Sequence, residues 1–136
     1  MNTLPTDREI LKYIYKMYEP SYPGKEPGQD RGKNDPYMPI NIHDVAARIG
    51  CTPEMIFGRL YYHLNAKYRY SHNDTWVNLF SISVGSERHC VNFPYLAAIL
   101  AEKNLEHKQQ LWSLSIAIIA LALSIASIVV QLITTK

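Results

Sequence analysis

The chain has 136 residues, with 14 basic and 12 acidic side chains and a formal net charge of +2. Residues 1–110 hold 13 of the basic and all 12 acidic groups. That balance excludes tight binding to nucleic acid by bulk charge and leaves only a local basic patch for the purpose. Two cysteines, Cys51 and Cys90, and an N-terminal stretch with acidic residues where a secretion signal needs a basic region and an apolar core point to a reducing, cytosolic setting.

The first element is a helix. Thr6-Asp7-Arg8-Glu9 has the spacing of a capping box, in which the Thr6 hydroxyl and the Glu9 carboxylate each satisfy a free N–H. Ile10, Ile14 and Met17 follow at helical spacing and predict a helix from about Asp7 to Tyr18, stopped by Pro20. Residues 19–39 carry five prolines and three glycines with almost no aliphatic side chains. This segment is expected to be a flexible surface loop, with Lys25, Arg31 and Lys33 available to a partner or a phosphate.

Residues 40–64 are the most informative part of the polar region. Val45, Ala46 and Ile49 make the apolar side of a short helix, and Gly50 suits the left-handed residue that ends it. Thr52 is a natural N-cap, and Pro53 sits at the first helical position, where its missing N–H costs nothing. Ile56, Leu60 and Leu64 then repeat every four residues as a buried stripe. Two short helices joined by a tight glycine turn make a helix-turn-helix. On Val45-Ala46-Ala47-Arg48-Ile49-Gly50-Cys51-Thr52, with Ile56 and Leu60, the sequence resembles the winged helix-turn-helix family over roughly residues 5–95.

Beyond Lys67 the pattern alternates. Tyr68 and Tyr70, then Trp76 to Val84, then His89 to Phe93 are strand-like, with turns at His72-Asn73-Asp74 and Gly85-Ser86-Glu87-Arg88. They predict a three-stranded meander over about 68–71, 76–83 and 89–93, in the place of the wing. Pro94 can open a helix, and no proline or glycine interrupts Tyr95 to Lys136.

Leu111 to Ile133 is 23 residues without a charge, a proline or a glycine. A helix of that length extends about 35 Å, enough for the hydrocarbon core of a bilayer. Trp112 is placed for the interface. The expected fold class is therefore α+β. It comprises a winged helix-turn-helix head of three helices and a wing over 1–94, a juxtamembrane helix over 95–110, a single transmembrane helix over 111–133 and a short tail over 134–136. Within the span, Ser113, Ala117, Ala120, Ser124, Ser127 and Gln131 recur at alternating intervals of four and three. A face of small residues permits close helix approach in lipid, so self-association, most simply as a homodimer, is expected there.

The resemblance implies that the second helix of the motif would lie in the major groove of DNA. The nucleic-acid-binding residues expected on it are Thr52, Arg59, Tyr62, His63, Lys67 and Arg69, with Arg88 reaching a flanking backbone. In outline this looks like a membrane-tethered transcriptional regulator with a cytoplasmic head. Gly58, Tyr61 and Tyr62 stand where polar base readers are expected, and tyrosines equally suit a protein interface. The alternatives are a membrane-anchored adaptor that docks a protein partner, or a small membrane effector, for example in phage defence, whose head controls assembly of the span. No metal-ligand spacing, phosphate loop or nucleophile elbow is present, so neither a cofactor nor an enzyme activity is expected.

Overall fold

The computed structural model describes residues 4–22 and 35–135. They fall into two compact units, Met1–Leu100 and Ala101–Lys136.

The first unit begins with α1 (Asp7–Tyr18). Its capping box is complete: Thr6 Oγ1 accepts from Glu9 N at 3.2 Å, and the Glu9 carboxylate accepts from Thr6 N at 2.6 Å. Ile10, Leu11 and Ile14 are fully buried. A 3-10 turn, Glu19–Ser21, follows. Lys25, Arg31 and Lys33 lie outside the described residues. Part of the expected loop is ordered otherwise: Tyr37–Pro39 is a strand, β1.

Next come α2 (Ile42–Ile49) and α3 (Pro53–Gly58). Asn41 caps α2, its side-chain oxygen accepting from Asp44 N at 3.2 Å. Gly50 ends α2 with φ +85°, the left-handed geometry that glycine adopts without a Cβ penalty. Thr52 caps α3 through a bond from Met55 N, with Pro53 in the first turn. The helical run does not stop at Gly58. It continues through a π turn, Arg59–Leu64, into α4 (Asn65–Tyr68). The four-residue repeat explains the π turn. In an α-helix each step of four residues drifts about 40° around the axis, so a stripe at 56, 60 and 64 would wander off the core. The wider π turn reverses that drift, and Ile56, Leu60 and Leu64 are all essentially inaccessible.

The strands depart from the expected meander. They are β2 (Tyr70–His72), β3 (Thr75–Val77), β4 (Phe80–Val84) and β5 (Glu87–Asn92). Strands β2 and β3 form a separate hairpin, whereas β1, β5 and β4 make an antiparallel sheet in that order. The predicted strand over 76–83 is broken at Asn78 and Leu79 because side chains of α4 and β1 claim that backbone. Asn65 Oδ1 accepts from Leu79 N at 2.9 Å and Phe80 N at 3.2 Å, and the Tyr37 hydroxyl donates to Asn78 O at 3.1 Å. Asn92 N in turn donates to Leu79 O at 2.8 Å.

The last helix, α5, is Phe93–Thr134. Its residues up to Leu100 belong to the first unit, where Leu96, Ile99 and Leu100 join the core with Phe80 and Val91. From Ala101 the helix forms the second unit. It is long and apolar enough to cross a membrane, and none of its most apolar window is buried. A core helix would be covered, so this run is compatible with a single membrane span.

Candidate functional site

The helical run Pro53–Tyr68 carries most of the candidate residues and presents them on different sides. Arg59, His63 and Lys67 recur every four residues and converge on one carboxylate. Arg59 Nη2 lies 2.7 Å from Asp7 Oδ1, His63 Nε2 lies 2.8 Å from Oδ2, and Lys67 Nζ lies 3.9 Å from Oδ2. The second guanidinium nitrogen of Arg59 donates to Pro5 O at 2.8 Å. Burial pushes the Asp7 carboxyl up, but the bonds from Arg59 and His63 and their charges outweigh it and hold the group below its ordinary value of 3.8. The row therefore clamps the start of α1 to the helix beside it, and the Arg59 fork is already occupied.

Arg69 lies with its guanidinium 4.0 Å from the ring centre of Trp76, a cation–π contact onto the β2–β3 hairpin. Arg88 is exposed on β5, opposite Ser83 of β4. Thr52 spends its hydroxyl on the α3 cap. Tyr62 differs from all of these. It is 79% exposed, a Cβ at Gly58 would meet its ring at 3.8 Å, and Met55, one heptad earlier, is also exposed. The sequence-predicted basic side chains are thus brought together on Asp7, apart from Arg69 and Arg88, while Met55 and Tyr62 are the large hydrophobic side chains that the helix exposes.

Sequence reasoning missed a second feature. Between α2, α3 and β5 lies a cleft of about 520 Å³, lined by Ile40, Pro53 and Phe57 and by His43, Glu54 and His89 among others. Of these lining residues, His89 has its Nδ1 2.8 Å from the Tyr61 hydroxyl. Burial holds the Tyr61 phenol up at about 12, with the Cys90 thiol adding to the shift and Arg88 opposing it. Burial lowers the His89 pKa, and neighbouring Arg88 lowers it further. His89 has φ +56°, and its carbonyl accepts from Ile40 N at 2.7 Å. An alternating strand pattern gives no sign of such a residue. Asp7 was legible as a helix-start residue but not as the anchor of Arg59, His63 and Lys67 from a helix some fifty residues away.

Among the described residues no group of three or more His, Cys, Asp or Glu could hold a metal ion. In the second unit, Ser113, Ala117, Ala120, Ser124, Ser127 and Gln131 are all exposed on α5. Ser124 Oγ donates to Ala120 O at 2.9 Å, and off that face Ser115 Oγ donates to Leu111 O at the same distance. The hydroxyl of Ser124 is thus satisfied within its own helix, and what this stretch offers a neighbour is small volume. No family model, curated protein or solved structure matches the chain.

Proposed function

We propose that the protein is a membrane-anchored winged-helix adaptor. A single span over 111–133 holds it, its head lies on the cytoplasmic side, and α3 and the π turn dock a protein partner. The strand order β1-β5-β4, with helices α2 and α3 between β1 and the hairpin, supports the winged-helix reading. The observation that carries the docking reading is the exposed Met55–Gly58–Tyr62 surface, set against an Arg59 fork already closed on Asp7 and Pro5. An exposed tyrosine beside a glycine is the kind of anchor that a protein interface fills. A head with this little basic surface gains useful affinity from confinement at the membrane and from self-association of the span through Ser113, Ala117, Ala120, Ser124, Ser127 and Gln131.

DNA binding is the second reading. It is favoured by the exposed Arg88 and by the half-exposed Lys67 and His63, which share one helix side. One experiment separates the two. The full chain is placed in nanodiscs and titrated with duplex DNA at increasing salt, and a photo-crosslinking residue replaces Tyr62 in cells. A discrete protein adduct at position 62, absent when the crosslinker stands at exposed Ser83, with no DNA binding at low salt, supports the adaptor. Affinity for DNA that falls steeply with salt and with Lys67→Ala and Arg88→Ala, without a protein adduct, overturns it in favour of the DNA reading.

A further inference from the structure

Three uncommon features meet at the cleft between α2, α3 and β5. The first is the cleft itself, whose 520 Å³ falls within the range of small-molecule sites. The second is the π turn Arg59–Leu64, which supplies Tyr61. Such turns are rare, and they concentrate at functional sites. The third is His89, a residue with a full side chain held at φ +56°. The register explains where it sits: β4 pairs Ser81 with Cys90 and Ser83 with Arg88, and His89 falls between them. A left-handed residue in mid-strand persists only where its surroundings hold it. Here the bond from Ile40 N to its carbonyl and the bond to Tyr61 do so.

Tyr61 lies 3.4 Å from Ser81 O, long for a hydroxyl bond, whereas the contact with Nδ1 is 2.8 Å. In the arrangement proposed below, the phenol keeps its proton and donates it to Nδ1. Neutral imidazole then carries its own proton on Nε2. Tyr61 takes the Nδ1 edge of the ring and does not itself line the cleft, whereas His89 does. In the proposed arrangement the other edge of the ring, with its N–H, is the uncharged donor offered to the cleft. Phe57 offers a ring edge-on to His89 at 6.2 Å between centres. Glu54, in the first turn of α3, brings a carboxylate to the rim, and Ile40 and Pro53 supply apolar walls.

We propose that this cleft is a binding site for a small, neutral, planar heteroaromatic molecule bearing an exocyclic amino group. A ring nitrogen of the ligand accepts from His89 Nε2–H, the amino group donates to Glu54, and the ring packs on Phe57. Aliphatic ligands lose the stacking, and anionic ligands meet Glu54. The site uses none of Met55, Gly58 or Tyr62, so it stands or falls separately from the docking reading above.

The test uses the full chain in nanodiscs with ¹⁵N-labelled histidine, and adenine, purine and indole as probes. Nitrogen shifts assign the Nε2–H tautomer to His89 in the free protein at neutral pH. Adenine gives saturable shifts of the His89 ring. Purine, which lacks the amino group, binds about tenfold more weakly, as does adenine to the Glu54→Gln variant, since each loses one bond to a charged group. Indole, with no acceptor, gives no saturable shift of Nε2. Tyr61→Phe frees the tautomer and weakens adenine binding while leaving the ring stacking intact. Glu54 is exposed, so its variant keeps the fold and isolates the contact. The proposal is overturned by the absence of saturable adenine shifts, by equal responses to adenine and indole, or by unchanged affinity in Glu54→Gln.

Discussion

Asn65 shows how much one side chain can decide. Its oxygen takes the N–H groups of Leu79 and Phe80, both buried, and its amide nitrogen donates to Asn78 Oδ1 at 3.4 Å. Truncation strands two buried donors, each costing about 1–3 kcal/mol. Asn65→Ala is therefore expected to lower the stability of the head by roughly 2–4 kcal/mol, read by chemical denaturation of the full chain in detergent. Asn65→Asp, which keeps the acceptor, should recover much of the loss. Asp7 sets the acid limit in a similar way. Its folded pKa lies below 3.8, so the stability it contributes is complete above that value and is lost as pH falls through the depressed one. Wild type and Asp7→Asn should differ at about pH 5, and the gap should narrow as pH falls below about 4. A gap that persists at pH 2 would point to a role other than charge. Neither residue could be assigned its partners from sequence, because both act across long separations that local spacing does not encode.

At the scale of elements, helices were more legible than strands. Caps, prolines and apolar spacing are local signals, and Thr6, Gly50, Thr52 and Pro53 take the places that their chemistry indicates. The strands failed where the decisive contacts are distant. Trp76 to Val84 is rich in β-formers, yet its middle is surrendered to Asn65 and Tyr37. Strand β1 hides in a proline-rich stretch, since only its partner β5 makes Tyr37–Pro39 a strand. The aromatic cleft was invisible for the same reason, whereas the Arg59–His63–Lys67 row was readable as a row but not as the clamp on Asp7. Within α5 the Ser124 hydroxyl already bonds Ala120 O, so at that position any association of spans rests on small volume. A reporter of span association should fall several-fold for Ala120→Leu and Ser124→Leu and stay near wild type for Ser124→Ala. Equal losses for all three would assign the contact to the hydroxyl instead.

The whole molecule divides as its hydropathy does. The core draws on α1, α2, the α3–α4 run, the sheet and the first turns of α5, whereas the apolar window further along α5 buries nothing. The chain should remain with membranes through alkaline extraction, and a version ending at residue 110 should be released. A cysteine-reactive probe that cannot cross the bilayer, used on a Ser83→Cys variant, reads which side the head occupies, and labelling only after the cytoplasmic face is opened is the expected outcome. The apolar run itself was legible in the sequence, because 23 uncharged residues need no tertiary information to be recognised, whereas the boundary between the units at Leu100 and Ala101 was not.

The π turn has a kinetic consequence. Its i→i+5 bonds are held by the demands of the core stripe and not by backbone preference. Amide protons of Arg59–Leu64 should therefore exchange with solvent sooner than those of residues 56–58, although both belong to one helical run. A local opening there would loosen Tyr61 and Tyr62 together, so the cleft and the exposed face of the helix would breathe on a common clock.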